Sequence, residues 1–416
     1  MNELLPNMRS LSSRFAFLRP DTAPATSRPV TKTLPVGPLR PRVEIPVRDP
    51  SPAWAEAQAL IERGQHMARQ DEWEALGREI CDADREHRLT EGLGSVAALL
   101  AQGARRDAVE AGRAATKKAE PKVARTILAT LEINMEDMPQ CPATAYIVAM
   151  AHVDLALAWA GASRPGELAT PRRDAFDWHM AAAARLSDEF DPFQTQSPLW
   201  AEVRCRVLAV DPKPSLRLAD DYEDLIEMEP ENPDHMRCFG RDLMPGRYGN
   251  REVLDRESRR TAIRTADVWG MGGYSWIQMG AIEHDPSALR WLDDELFAEG
   301  LHDILSRHPG QDMVNRLAAF CGLTASSASA PGSVQARISD CFNWIAQDHL
   351  FELHPAVWAL APLPGRSETA NPDDADLVKR GRTRAISALA EHFAPLLDNG
   401  RRLVFTPTGL KMPRMV

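Results

Sequence analysis

Residues 51–85 read SPAWAEAQALIERGQHMARQDEWEALGREICDADR, and this stretch decides the fold class. Ser51-Pro52 supplies a capping hydroxyl followed by proline at the first helical position, where a missing N–H leaves nothing unsatisfied. Trp54, Ala57, Ile61, Gly64 and Ala68 then recur every three or four residues, which is the period of one helical face. After the polar hinge Arg69-Gln70, Trp73, Leu76, Ile80 and Ala83 repeat the pattern. Two helices joined by so short a hinge are expected to pack antiparallel.

The same logic extends outward. It predicts helices at roughly 92–117, 121–135, 143–161, 173–188, 198–209, 215–229, 233–243, 251–268, 286–306, 310–321, 333–352 and 373–394. Composition agrees, because 59 Ala, 42 Arg and only 7 Lys in 416 residues favour helix, and β-branched runs are scarce. The breaks between helices are turn chemistry: Ser163-Arg164-Pro165-Gly166, Asp211-Pro212, Glu229-Pro230, Pro245-Gly246 and Asp285-Pro286. Thr324–Ser333 and Pro362–Pro372 read as linkers. The expected fold is all-α, built of stacked antiparallel helical hairpins in an α-solenoid-like or compact array. A minor two-stranded element near the termini is the one exception. There Val43-Glu44-Ile45-Pro46-Val47 alternates like an edge strand, and Leu403-Val404-Phe405 is its partner.

Residues 1–50 carry nine prolines and read as a disordered Pro/Arg-rich tail. The body divides at its breaks into helical hairpins over 51–165, a central region over 171–323, and C-terminal helices with a strand-like end over 333–416. The net charge of −10 is uneven. Eight basic residues face four acidic ones in 1–50, so the rest of the chain is acidic as a whole. Nucleic acid is therefore expected to be contacted, if at all, only through residues 1–50. The six cysteines at 81, 141, 205, 238, 321 and 341 include no CxxC and read as small hydrophobes in a reducing compartment. The most apolar stretch, Thr144–Ala162, contains His152 and Asp154, so it is expected to be a buried helix rather than a membrane span. A cytoplasmic protein is expected. The Ala/Arg-rich, Lys-poor composition suggests a bacterial source.

Three segments resemble tetratricopeptide-type helical repeats. Met67–Ala83 (MARQDEWEALGREICDA) is similar to the hinge and second helix of such a unit, with Trp73 in the large aromatic slot. Tyr222–His235 (YEDLIEMEPENPDH) looks like a repeat boundary, and Asn315–Phe320 resembles the first helix of another unit. A fixed 34-residue period is absent. The resemblance covers about a third of the chain, and it implies an α-solenoid with a binding role rather than a reaction.

Catalytic signatures are missing from the sequence: there is no GxSxG elbow, no phosphate-binding GK[ST] loop and no HExxH. His349, Glu352 and His354 are the densest metal-like cluster, but Pro355 ends the helix and takes the second histidine off the face. His302, Asp303 and His308 are broken in the same way by Pro309. Gly270-Met271-Gly272-Gly273 lacks the strand and third glycine of a dinucleotide loop and reads as a helix stop. No metal ligands and no cofactor are assigned. Arg256, Arg260 and Arg264 form a basic stripe at i, i+4 and i+8, alternatively a solvated face paired with nearby acids. Arg241, Arg247, Tyr248, Tyr274 and Trp276 form the candidate binding surface, because Arg and aromatics on a loop-broken segment suit recognition. The competing reading is that Trp269 and Trp276 plug the core. The expected function is protein–protein interaction or scaffolding with a protein partner. The alternatives are an all-helical enzyme, such as a metal-dependent one, with a site assembled from distant residues, and an adaptor using its basic tail.

Overall fold

The computed structural model describes residues 42–161, 163, 167–326, 332–363 and 376–414. The expected tail up to residue 41, much of the Ser163–Gly166 turn, the middle of the first linker and all of the second beyond residue 363 lie outside the described residues. Among the described residues the fold is all-α apart from one small sheet, as its sequence predicts, with three strands in place of the two expected. The helices run in the order α1 (Pro52–Arg69), α2 (Trp73–Arg85), α3 (Val96–Lys117), α4 (Pro121–Asp137), α5 (Pro142–Ala160) and α6 (Thr170–Glu189). Then come α7 (Pro192–Thr195), α8 (Pro198–Arg206), α9 (Leu218–Met228), α10 (Pro233–Asp242), α11 (Arg251–Arg264), α12 (Ala266–Trp269) and α13 (Gly272–His284). The last are α14 (Asp294–Arg307), α15 (Gln311–Ala319), α16 (Val334–Trp344), α17 (Pro355–Leu360), α18 (Leu377–His392) and α19 (Ala394–Asp398).

The caps explain many of the starts. Ser51 Oγ accepts from Trp54 N at 3.3 Å, Ser197 Oγ from Trp200 N at 3.2 Å, and Asn250 Oδ1 from Val253 N at 3.0 Å. Each satisfies an amide that the first helical turn leaves unpaired. Proline follows the cap in α1, α8 and α10.

The sheet joins the two ends of the described chain. β1 (Val43–Glu44) pairs parallel with β2 (Leu403–Thr406), in the register Val43 to Leu403. β3 (Gly409–Lys411) closes it antiparallel. Val47 also bridges to Leu353. Residues 42–47 are therefore part of the body, which moves the expected tail boundary at residue 50 back into the tail. Val43 can do this because its side chain enters the core beside Leu403.

Two hydrophobic cores share the molecule. The first gathers α2 through α6 around α5, which is buried on nearly all sides. That helix is long and apolar enough to cross a membrane, but most of it is buried inside the protein. The second core runs from α9 to α19 and includes β1 and β2. α8 serves both, with Leu199, Trp200 and Val203 on the first and Ala201 and Cys205 on the second. The division expected at 165–171 thus falls inside the first core, and that expected at 323–333 falls inside the second. Turn residues mark where the chain reverses, and a reversal need not coincide with the edge of a core.

The pairing of helices also departs from a simple run of hairpins. α1 packs chiefly on α3, with α2 a lesser neighbour. A Cβ on Gly64 would overlap the carbonyl oxygen of Leu100, and one on Gly103 would overlap that of Ile61. The two backbones therefore touch at reciprocal glycines. α10 and α13 repeat the device, with Gly240 against Ile277 and Gly280 against Arg237. α13 itself was not expected, because its glycines read as breakers. The sequence's helix stop is Gly270, at φ +59°, whereas Gly272 and Gly273 open the buried helix that follows.

Candidate functional site

From the first core toward the second runs a groove along one face of α3. Ala98, Gln102, Arg105, Arg106, Val109 and Arg113 line it at the three- and four-residue spacing of a single helical face. It consists of three depressions of about 400, 190 and 310 Å³. The first two share Ala98, Gln102, Glu202 and Arg206, and the last two share Gly94, Leu99 and Asp234. The facing wall comes from α5, α8, α9 and α10. Toward α15 and α17 the groove meets Trp54 and Ala57 of α1, Arg316 and Phe320, and Val357 and Leu360. Trp54 also packs beside Ala356, Ala359 and Leu377, which ties α1 to α17 and α18.

The walls are charged, and most of the charges are paired. Glu202 accepts from Arg206 Nη2 at 2.8 Å and from Tyr146 Oη at 3.1 Å. Burial works to raise the Glu202 carboxyl, but Arg206 and His235 prevail and lower it. Burial drives the Tyr146 hydroxyl well up, so it stays a donor. Glu229 accepts from Asn232 Nδ2 and His235 Nε2, each at 2.7 Å. Arg237 spans Asp234 at 2.8 Å and Glu283 at 2.7 Å, and Arg316 stands 3.8 Å from Asp234. Enclosure by the groove walls opposes ionisation of Asp234, whose side chain is still half-exposed, yet Arg237 and Arg316 hold it at about 2. Arg105 donates from Nε to Asp154 at 2.7 Å, its side chain only 8% exposed, while its Nη1 has no hydrogen-bond partner. Carboxylates held ionised beside arginines suit charge recognition better than proton transfer.

The surface expected at 241–276 is built differently. Arg241 and Arg247 both turn inward to the buried Asp242, at 2.9 and 2.7 Å, and Tyr222 Oη donates to the same carboxylate at 2.6 Å. Tyr248 is half-buried, with the Arg247 guanidinium 5.1 Å from its ring centre. Tyr274 and Trp276 are 0% exposed on α13, and Trp276 meets Trp269 edge-on at 5.6 Å. These two therefore plug the core, and no rim exists for them to line. Arg256 pairs with Glu257 at 2.8 Å, Arg260 with Glu223 at 2.9 Å, and Arg264 with Glu223 and Glu227. The basic stripe is thus neutralised by α9 and by its own helix. It borders a separate depression of about 220 Å³.

Among the described residues no group of three or more His, Cys, Asp or Glu is arranged to hold a metal ion. His354 sits 3.0 Å from Glu352 and 3.6 Å from Asp312, and His349 meets Trp344 edge-on. The groove was missed in the sequence because its residues come from many helices far apart in the chain. One signal was present: Arg105, Arg106 and Arg113 lie on the α3 face that carries Ala98 and Gln102, where a wholly solvent-facing helix would have no apolar stripe. No family model, curated protein or solved structure matches this chain.

Proposed function

We propose that the protein is a non-catalytic binding protein, of tetratricopeptide-like helical build, that holds an extended segment of a protein partner in the α3 groove. One observation carries this reading: the three depressions share lining residues end to end, so they adjoin along one route. A path along a whole helix suits an extended chain better than a compact metabolite. Both signs of charge line it, with Arg105, Arg106, Arg113, Arg206 and Arg316 against Glu110, Asp154, Glu202, Glu229 and Asp312. The matching partner segment carries acidic and basic residues together, interrupted by small apolar ones that face Ala98 and Leu99. Charge pairing of this kind sets register and specificity more than raw affinity.

The test places a photo-crosslinking side chain at Gln102 in the groove, and in a second variant at Ile133, which is 56% exposed on α4. A discrete adduct is expected from position 102 in cells, with none from position 133. Introducing Arg105→Glu beside the crosslinker should abolish that adduct. Equal labelling from both positions, or none from 102, sinks the reading.

A further inference from the structure

Cys81 lies on α2, and Cys141 holds the capping position immediately before α5. Far apart in sequence, they line one depression of the fold, and each thiol is the leading influence on the acidity of the other. The reason is Gly77, one turn before Cys81 on α2. A Cβ there would come within 2.7 Å of Cys141 Sγ, so the missing side chain makes the space in which that sulfur rests. Both cysteines are half-buried, whereas Cys205, Cys321 and Cys341 are buried. Both also line an open depression of about 460 Å³, lying outside the groove, whose wall includes Arg78, Arg85, Met138 and Pro139. A small oxidant in solution can therefore reach them.

The two sulfurs are not equivalent. Cys141 stands at the positive end of a 19-residue helix, facing the Cys81 thiol and the first-turn amides of Ala143 and Thr144 without a capping hydrogen bond to them. Donors around one sulfur favour its thiolate. Led by the Cys81 thiol and opposed by burial, they push Cys141 down. The same contact, together with burial, pushes Cys81 up, so it keeps its proton.

We propose that Cys141 is a peroxide-reactive thiolate and that Cys81 resolves it into a disulfide joining α2 to the start of α5. The Cys141 sulfur attacks one oxygen of hydrogen peroxide. An S–O bond forms, the O–O bond breaks, and hydroxide leaves, giving the sulfenic acid. The Cys81 sulfur then attacks the Cys141 sulfur. The S–S bond forms, the S–O bond breaks, and the departing hydroxide takes up the Cys81 proton as water. In sum, two thiols are oxidised and one peroxide is reduced to two waters. The bond pins the first turn of α5, the central helix of the first core, to its neighbour.

The experiment treats the full chain with equimolar hydrogen peroxide and maps its peptides by mass without reduction. A single linked pair, Cys81 to Cys141, is expected, and dithiothreitol should reverse it. In Cys81→Ser the sulfenic acid should persist on Cys141 and take up dimedone. In Cys141→Ser, position 81 should stay unmodified. At pH 6, iodoacetamide should label Cys141 about tenfold or more faster than the half-buried Cys238. Labelling of Cys141 no faster than Cys238, or peroxide treatment that links other cysteines or none, overturns the proposal.

Discussion

In the first core Gly64 and Gly103 let α1 and α3 touch backbone to backbone. In the second, Gly240 and Gly280 do the same for α10 and α13. Around these like crossings the two regions bury unlike chemistry. The first holds a histidine pair, His152 and His179, whose Nδ1 atoms are 3.0 Å apart. One nitrogen must donate and the other accept, so both rings cannot be cationic at once. The second holds an ionised carboxylate, Asp242, clamped by two arginines and a tyrosine. Backbone proximity is thus obtained in the same way twice, while the polar contents of each core set how that region answers to mutation and to pH.

The sharpest way to break this comparison is Asp242→Ala. It strands Arg241, Arg247 and the Tyr222 hydroxyl against an empty interior, and removing one partner of a buried charge cluster costs about 3–5 kcal/mol. Denaturant titration should show that loss, and a change below about 1 kcal/mol would mean the arginines simply swing to solvent.

The glycine crossings should respond alike. Gly103→Ala and Gly240→Ala each set a methyl on a carbonyl oxygen of the facing helix, and overpacking of this kind destabilises by about 1–3 kcal/mol or more. Gly310→Ala is the control, since nothing stands within 4 Å of its added carbon. If Gly103→Ala is neutral while Gly240→Ala is not, the two crossings are not equivalent.

With pH the regions should diverge. Burial, then His152 and Arg125, push His179 down to about 3. Below pH 6.5 the unfolded chain binds a proton that this folded site refuses, so stability falls as pH drops from 6.5 toward 3, by at most about 1.4 kcal/mol per pH unit. His354 behaves oppositely. Burial opposes its charge, but Asp312 and Glu352 prevail and raise it. Its contribution is fully present below pH 6.5 and is lost as pH rises through the raised value. Stability measured from pH 4 to 8 should therefore lose its acid slope in His179→Leu, and its decline above pH 6.5 in His354→Leu. An unchanged acid slope in His179→Leu would show that the histidine pair does not govern it.

The smallest effects belong to exposed ion pairs. Arg63→Ala removes a bidentate contact to Glu79, and Arg259→Ala removes pairs to Asp255 and Asp293. With side chains 57% and 44% exposed, each should change stability by less than about 1 kcal/mol. A larger loss in either would show that solvent screening is weaker on that face.

The sequence by itself determined the helices with clean periodicity and caps. Ser51-Pro52, the Trp73–Ala83 face, the apolar α5 and the proline breaks carry local information, because capping and amphipathicity act within a few residues. It also pointed to Val43 and Leu403 as strand partners, through alternation at the two ends. What only the tertiary structure decided depends on who meets whom. α13 was hidden because Gly272, Gly273 and Gly280 read as breakers until α10 and its neighbours lie against them. Arg241 and Arg247 looked like surface anchors until the fold placed both against Asp242. The groove joins Arg105, Glu202, Asp234 and Arg316, and Gly77 brings Cys141 beside Cys81. Such meetings leave no mark on spacing, since each partner is fixed by a different helix and the contact energy is realised only once those helices pack.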